Sequence, residues 1–423
     1  MNLELGSFPV TEVRFASETR LQNGTLTLNR AELEALLLEN ESVGGAEVCL
    51  ARPGESVRIL HVLDTLEPRV KVAGGESSFP GFLGPAQMCG RGRTHRLTGV
   101  SVMVSTRFPR PTEGLLQARE AIVDMSGPGA NYGLFSGMWN VVLVLEAAEG
   151  TSNLEYEAAV RQVGLQAARY LGETVRDLEP PTIDTFELGE VDGALPRVVY
   201  VNQVQSQGLY AQTFIYGRDA NELLPTFIHP NEMMDGAVVS GNYVYGCVKN
   251  PTYLHCNNPV VQECYKRHGR DFNFLGVILA KGHNYTLMLK ERSANYAAKL
   301  AHLLGADGVI ITQEGGGNAA IDAMLTVKYC EEFGVATTFL TFEYGGEQGF
   351  DQPLVYPLPV ADAIVSTGAQ DWQIELPSMD RAIGGDIVVG YDVPATEPFS
   401  ITLEQVYCAT NQLGAGTMGA LDF

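Results

Sequence analysis

Residues 308–341, GVIITQEGGGNAAIDAMLTVKYCEEFGVATTFLT, predict a strand, a glycine loop, a helix and a second strand. The apolar, β-branched runs at 308–312 and 336–341 are typical of buried strands. The helical pattern between them, from about 319 to 333, ends at Gly334. Because this alternation needs a crossover connection, it predicts a parallel sheet with right-handed crossovers, Rossmann-like in broad outline.

The same alternation continues on both sides of this unit. Residues 274–280 form an apolar run, residues 293–304 have helical spacing, and residues 361–366 supply one more strand. The last third of the chain is therefore predicted to be an α/β domain with a mostly parallel sheet.

The N-terminal half mixes strand and helix signals. Residues 10–15 and 25–28 alternate in strand fashion around Asn23-Gly24, which predicts a hairpin. Asn29 can then cap a short helix.

Later segments keep this mixture. Residues 139–145 are apolar enough for a buried strand, 155–171 have the spacing of an amphipathic helix, and 182–196 look like a linker. We therefore expect an α/β protein with three parts: an N-terminal α+β domain at 1–180, a connecting region at 181–259, and a C-terminal α/β domain at 260–423.

The composition is typical of a soluble globular protein, with 45% hydrophobic and 18% charged residues. Lys and Arg number 28 and Asp and Glu 50, which gives a net charge of −22 and disfavours nucleic acid or an anionic membrane as a partner. We expect no secretory signal and no transmembrane helix. Seven scattered cysteines favour a reduced, cytoplasmic protein.

Residues 234–259, MDGAVVSGNYVYGCVKNPTYLHCNNP, form what we term the central stretch. It combines turn residues with tyrosines, cysteines and a histidine, a composition that carries chemistry more often than packing. Its pattern SGN-x-V-x-x-C-x-KNPTY-x-H-x-NNP closely resembles the processing region of the proprotein that gives the alpha and beta subunits of component B in glycine, sarcosine and betaine reductases. It resembles the D-proline reductase proprotein more distantly.

The resemblance runs from LELG at Leu3 to CATNQLGAG at 408–416, and includes PGESVRI, EPRVKV and FPGF. It implies that residues 1–180 are beta-subunit-like and residues 260–423 alpha-subunit-like. It also implies an oxidoreductase-type complex that cleaves a C–N bond reductively. This chain would then be the subunit that binds a small amine or acid-type substrate, in a hetero-oligomer with a component B gamma-like subunit that carries a cysteine or selenocysteine.

One departure from the family pattern changes the chemistry. In the family an Asn-Cys bond in this region is cut autocatalytically and the cysteine becomes a pyruvoyl group, whereas here Asn242 is followed by Tyr243. Self-cleavage needs an oxygen or sulfur on the β-carbon, and a phenol across a ring cannot serve. We therefore expect an unprocessed chain without a pyruvoyl cofactor, although Val239-Ser240 and Gly246-Cys247 each offer a residue capable of an acyl shift.

Three residues are the catalytic candidates. Cys247 matches a second cysteine of the family motif, and is either a thiolate nucleophile or a thiol without a role. Glu314 follows one predicted strand and Glu343 the next, at the edge where open α/β sheets bind ligands. Either carboxylate is a candidate for proton transfer.

The substrate-binding candidates lie in three loops. Gly316 and Asn318 belong to the glycine loop. The alternative is that these glycines only permit a tight turn from strand to helix. Ser126 and Gly127 belong to a small-residue turn that can present N–H groups to an anion or be purely structural. His255 lies in the central stretch.

Other polar residues carry less specific signals. His229 is a base or a structural histidine. The spacing C-x7-H-C-x7-C-x3-H from Cys247 to His268 matches no zinc motif, so we predict no metal site. Six arginines between residues 52 and 96 either bind a carboxylate of a ligand or partner, or pair with the protein's own carboxylates.

Three functions remain open at this point. The first is an unprocessed, active substrate-binding subunit of a reductase-like complex. The second is a component of a divergent C–S or C–N lyase, and the third is a non-catalytic subunit that supports a cysteine or selenocysteine partner. The missing cysteine counts against ordinary glycine reductase chemistry, whereas the retained glycine loops and acidic residues count against a mere scaffold.

Overall fold

The computed structural model describes residues 1–109, 120–204, 213–241, 250–345, 354–416 and the backbone of 421–422. The strands of these residues are β1 (Asn2–Pro9), β2 (Glu12–Phe15), β3 (Arg20–Gln22), β4 (Thr25–Leu28), β5 (Val43–Ala51), β6 (Val57–Ile59), β7 (Val62–Leu66), β8 (Arg69–Ala73), β9 (Gly92–Thr98), β10 (Val100–Ser105), β11 (Val123–Asp124), β12 (Trp139–Ala147), β13 (Thr182–Glu187), β14 (Arg197–Val204), β15 (Thr213–Ile215), β16 (Arg218–Asp219), β17 (Thr226–Ile228), β18 (Val238–Ser240), β19 (Asn273–Lys281), β20 (Gly308–Gln313), β21 (Ala336–Glu343), β22 (Ile364–Ala369), β23 (Gln373–Leu376), β24 (Arg381–Ile383), β25 (Ile387–Val388), β26 (Val393–Pro394), β27 (Phe399–Thr402) and β28 (Leu421–Asp422). The helices are α1 (Arg30–Leu37), α2 (Gly127–Tyr132), α3 (Asn153–Gly172), α4 (Pro230–Met234), α5 (Thr252–Cys256), α6 (Pro259–Arg267), α7 (Leu287–Leu303) and α8 (Asn318–Glu332).

The C-terminal sheet has the order β17-β19-β14-β20-β21-β22-β28 in the described part of the chain. The inner strands, from β19 to β22, are all parallel to one another, and β17 and β28 run antiparallel at the two edges. The predicted α/β fold with a Rossmann-like, mostly parallel sheet is therefore confirmed. Two of its strands, β14 and β17, come from the segment 181–259.

The order of the parallel strands creates a topological switch point. Counted along the chain from β14, the inner strands lie in the order 2-1-3-4-5. From β14, the chain adds β19 on one side of the sheet and β20 to β22 on the other, so the loops at the carboxyl ends of β14 and β20 diverge. Such a crevice is where open α/β sheets bind ligands.

One face of this sheet is covered by α7 and α8. Val201 and Ile278 on the strands pack against Ala297 and Ala301 of α7 and Ala323 of α8. These alanines are buried, and their small side chains allow the helices to approach the sheet closely. The strand–helix alternation predicted from residues 308–341 thus forms a layer of helices packed on the sheet.

The other face is covered by the N-terminal half. Leu3 and Leu5 of β1 lie in one buried cluster with Tyr200 and Val204 of β14 and Met233 of α4. Strand β1 belongs to the sheet β13-β1-β9-β8, and a second sheet, β5-β12-β10-β7, packs with it around α3. The N-terminal half is thus of the predicted α+β type.

Two N-terminal details differ from the prediction. The Asn23-Gly24 turn joins β4 to β3, whereas β2 pairs with β4 in parallel. Asn23 and Gly24 have φ of 51° and 78°, the left-handed backbone that a tight two-residue hairpin requires. In addition, part of the expected linker, β13, forms an edge strand on β1.

The predicted cap of α1 is confirmed, since the Asn29 side chain accepts a hydrogen bond from the backbone of Glu32. Among the helices that the structure describes, none has the length and apolar character needed to cross a membrane.

Candidate functional site

Glu314 lies at the switch point, directly after β20, and is 1% exposed. Its Oε1 accepts the backbone N–H of Asn250 at 2.8 Å, and its Oε2 accepts the hydroxyl of Thr213 at 2.9 Å. Its own backbone N–H donates to the carbonyl of Gln203 at the end of β14, at 2.9 Å. The carboxylate therefore holds the residue that directly follows 242–249.

The N-terminal side of the same segment is held by Thr252. The backbone N–H of Ser240, at the end of β18, donates to Thr252 Oγ1 at 3.0 Å. Thr252 in turn donates its hydroxyl and its backbone N–H to the carboxylate of Asp64, at 2.7 and 2.9 Å. Ser240 also pairs with Thr213 across β18 and β15. Because Thr213 and Asn250 both donate to Glu314, one connected set of hydrogen bonds holds Ser240 and Asn250. We term Asp64, Thr213, Thr252 and Glu314 the clamp.

The C-terminal motif CATNQLGAG lies beside the clamp. Asn411 Nδ2 donates to Asn250 Oδ1 at 2.8 Å, and Gln412 Nε2 donates to the carbonyl of Gly315 at 2.8 Å. Tyr407, just before the motif, is fully buried near the carboxylates of Asp64 and Glu314, and burial is the main reason why its pKa is raised well above 10.

No local sequence pattern identified Asp64, Thr213, Thr252 or Asn411 as members of the site. Thr252 and Asp64 lie 188 positions apart in sequence, and no local pattern links them. The one available signal was motif similarity, because Thr252 falls within KNPTY and Asn411 within CATNQLGAG.

The two loops predicted to form the cleft lie side by side. β20 and β21 are paired in parallel, and Gln313 Nε2 donates to Thr341 Oγ1 at 2.7 Å. Glu343, the last residue of β21, is half-buried, and its backbone carbonyl accepts the N–H of Gln370 at 3.0 Å. A cavity of about 10 Å³ lies between the loops, which is room for about one water molecule.

The glycine loop itself is tightly constrained. Gly315 and Gly317 have φ of 88° and 60°, so glycine is needed at both positions. Gly316 between them is half-buried. Asn318 begins α8 with its side chain exposed, and its carbonyl accepts Lys290 Nζ at 3.1 Å. The substrate-binding roles of Gly316 and Asn318 stay predictions.

The remaining binding candidates fall in different surroundings. His255 is fully buried in α5, the helix that Thr252 begins. Ser126 and Gly127 begin α2, and their described neighbours are Met379 and Pro377. Those contacts do not bring Ser126 or Gly127 into the clamp. Their turn begins the six-residue helix α2, which is a structural role.

The cysteines that the structure describes are free and, except for Cys49, buried. Burial is the main reason why the pKa is raised to about 12 for Cys256, Cys264 and Cys330, and to about 11 for Cys49. A thiol with such a pKa carries almost no thiolate at neutral pH. The nucleophile candidate Cys247 lies outside the described residues, as do Asn242 and Tyr243, which the resemblance predicts at the processing position.

Four of the arginines pair with the protein's own carboxylates. Their ion pairs are Arg58 with Asp124, Arg69 with Glu67, Arg93 with Glu4, and Arg96 with Asp184 and Glu67. This favours the structural alternative for these four. Across the described ranges, no group of three or more His, Cys, Asp or Glu side chains is arranged to hold a metal ion.

His229 has a structural contact. It caps α4, and its Nδ1 accepts the backbone N–H of Asn231 at 3.2 Å while Glu232 accepts the backbone N–H of His229 at 2.8 Å. Burial is the main cause that lowers the pKa of His229 to about 4. An accepting Nδ1 requires the neutral ring, which agrees with this direction.

We therefore expect His229 to make stability depend on pH. The folded pKa lies below the usual value of about 6.5, so its contribution is complete above pH 6.5 and decreases as the pH falls towards 4. Because the ring is half-exposed, we expect a change of only about 1 kcal/mol between about pH 7.5 and 5.5. The measurement is urea unfolding of wild type and His229→Asn, whose amide caps without titrating. A free-energy difference between the two proteins that does not vary with pH would contradict the assignment.

Comparison with known proteins gives a consistent result. The family described as glycine/sarcosine/betaine reductase component B subunits matches residues 1–420. The glycine reductase complex component B subunits alpha and beta of Acetoanaerobium sticklandii are 40% identical over 435 residues, which cover 99% of each chain. The sarcosine reductase complex component B subunit alpha of Peptoclostridium acidaminophilum is 42% identical, over 91% of this chain and 89% of the relative. The betaine reductase complex component B subunit alpha of the same organism is 36% identical over the full length of both. No solved structure matches significantly.

Proposed function

This chain belongs to the glycine/sarcosine/betaine reductase component B family, and from that membership we propose that it is the substrate-binding subunit of a reductase-like complex. The substrate is a small amine or acid-type molecule whose C–N or related bond is cleaved. This chain acts in the cytoplasm, and its partner is a gamma-like subunit that supplies a cysteine or selenocysteine nucleophile. Relatives named as subunits of glycine, sarcosine and betaine reductase complexes support this proposal.

The observation that carries the proposal is the clamp at the switch point. Asn250 and Ser240, which flank the segment 242–249, are held by buried hydrogen bonds to Glu314 and Thr252 respectively. A fold that only supported a partner would not need a buried carboxylate at the crevice where such sheets bind ligands. We propose that the clamp positions the central stretch, and that Glu314 holds or moves a proton beside it.

The residues present do not fit a pyruvoyl group at position 243. Tyr243 has no heteroatom on its β-carbon, so it can neither attack the preceding carbonyl nor undergo the elimination that follows. Ser240 has such an atom, but it lies in a paired strand with its N–H donated to Thr252, which is not the strained peptide that an acyl shift needs. We therefore propose an unprocessed subunit in which Cys247 and the clamp are the reactive region.

The non-catalytic alternative has one observation in its favour. Both carboxylate oxygens of Glu314 already accept hydrogen bonds from the protein, which suits a purely positioning role. In that case the partner subunit would carry all of the chemistry.

The intact mass of the denatured, reduced protein tests the processing state. We expect one species near 45.7 kDa, unreactive towards hydroxylamine. Tyr243→Cys is expected to give two fragments, the C-terminal one blocked by a hydroxylamine-reactive carbonyl, because it restores the sulfur on the β-carbon. Tyr243→Phe is the matched control and should stay intact. Two fragments from the wild type would overturn the proposal, and an intact Tyr243→Cys protein would show that residue 243 is not what prevents processing.

A further inference from the structure

The carboxyl edge of the C-terminal sheet carries large, exposed apolar side chains on both sides of the crevice at Glu314. On the β19 side, Tyr285, Leu287 and Met288 lie at the start of α7 and are 69%, 58% and 70% exposed. On the other side, Trp372 follows the last residue of β22 by three positions and is 59% exposed. We term Tyr285, Leu287, Met288 and Trp372 the apolar rim.

Two further side chains extend the β22 side of the rim towards the crevice. Val355 and Tyr356 are exposed, and both line the small cavity beside Gln313 and Thr341. This contact places them at the carboxyl ends of β20 and β21. Exposed apolar surface therefore reaches the strand that directly precedes Glu314.

Such a surface is typical of a protein–protein interface. A single exposed apolar side chain is ordinary, whereas several at one edge of a fold mark a contact site, and aromatic residues and methionine are enriched in interfaces. Four strand spacings, about 19 Å, separate β19 from β22. A standard interface buries about 800 Å² of each partner, which is a patch about 30 Å across. One partner can therefore cover both sides of the rim and the crevice between them.

The kind of partner follows from the crevice, and this step rests on the proposed function. The clamp and Glu314 lie between the two sides of the rim, whereas the proposed cysteine or selenocysteine nucleophile comes from the gamma-like subunit. That subunit has to reach the carboxyl edge of the sheet. A second copy of this chain would cover the crevice without supplying a nucleophile. We propose that the apolar rim is the docking surface for the gamma-like subunit, which closes over the crevice and excludes water from it.

Hydroxyl-radical footprinting of the full-length chain, alone and with an excess of the purified gamma-like subunit, tests this surface. The first and last residues of α7, Leu287 and Leu303, place the same side chain at two ends of one helix, about 24 Å apart. Leu303 is 71% exposed. The partner should lower oxidation of Leu287, Met288 and Trp372 about fivefold or more, because the core of an interface excludes solvent. Oxidation of Leu303 should not change.

Matched variants measure the contribution of the rim to affinity. Leu287→Gln and Trp372→Gln are each expected to raise the Kd for the gamma-like subunit about tenfold or more, because each places a polar amide in an apolar contact. Leu303→Gln should bind as wild type does. Biolayer interferometry measures the Kd, and sedimentation velocity of the chain alone measures self-association of the same proteins.

Three results would overturn the inference. If wild type binds the gamma-like subunit but neither the oxidation of the rim nor the Kd of the two variants changes, the partner docks elsewhere and the proposed function stands. Self-association of wild type that Leu287→Gln abolishes would assign the rim to a second copy of this chain. If wild type does not bind the gamma-like subunit at all, the proposed function fails together with the inference.

Discussion

Replacement of Glu314 by glutamine is expected to lower turnover of the reconstituted complex by roughly 10²–10⁴-fold while leaving the protein folded. The amide keeps both contacts, because its oxygen still accepts the N–H of Asn250 and its nitrogen can donate to the hydroxyl of Thr213. Only the charge and the ability to transfer a proton are lost. The measurement is the rate of substrate cleavage with the partner subunit present, together with unfolding in urea.

Two further variants separate proton transfer from positioning. Glu314→Ala leaves two buried donors without an acceptor and is expected to cost about 3–5 kcal/mol of stability as well as activity. Glu343→Gln, at the end of the next strand, is the matched comparison for the carboxylate charge. Full activity of Glu314→Gln would exclude proton transfer by Glu314 and leave it a positioning residue. A loss in Glu343→Gln alone would assign that step to Glu343.

A similarly large loss of stability is expected for Arg58→Met. The fully buried guanidinium donates to both carboxylate oxygens of Asp124, at 2.7 and 2.9 Å. It also donates to the carbonyls of Pro377, Ala395 and Glu397. Removing it leaves a buried carboxylate without a partner, which costs about 3–5 kcal/mol. Urea unfolding monitored by circular dichroism measures the change.

Two control proteins accompany the unfolding measurement on Arg58→Met. Arg58→Met combined with Asp124→Asn removes the unpaired charge, so it should recover part of the lost stability. Arg267→Met removes an exposed arginine from α6 and should leave the unfolding midpoint near that of wild type. If Arg58→Met lost no more stability than Arg267→Met, the buried pair would not stabilise the fold.

The Arg58 contacts also show how the two ends of the chain are joined. β24 pairs in parallel with β6, so the segment after the C-terminal sheet returns to the N-terminal half. Ile383 of β24 is buried in the same cluster as Ile59 of β6. Neither short strand has a sequence pattern that identifies the other as its partner.

The functional site likewise combines features visible in the local sequence with contacts between residues far apart in the chain. The glycine loop and Glu314 were found from sequence, because a loop between a strand and a helix is visible in the local pattern. The donors to Glu314 come from Asn250 and Thr213, 64 and 101 positions away. Thr252, the first residue of α5, finds its acceptor Asp64 in β7 of the N-terminal half. Each of these contacts depends on the whole chain being folded.

The sequence by itself determined four inner strands of the C-terminal sheet, β19, β20, β21 and β22, the helices α7 and α8 beside them, the cap at Asn29 and the family. It also predicts that Tyr243 replaces the family's processing cysteine. These depend on periodicity, capping and side-chain chemistry, which act over a few residues. Only the tertiary structure decided that β3, rather than β2, forms the hairpin with β4, that Arg58 pairs with Asp124, and that the clamp holds Ser240 and Asn250, which flank 242–249. The physical reason is that distant partners are selected by burial and by the need to satisfy every buried polar group, and these conditions exist only in the complete fold.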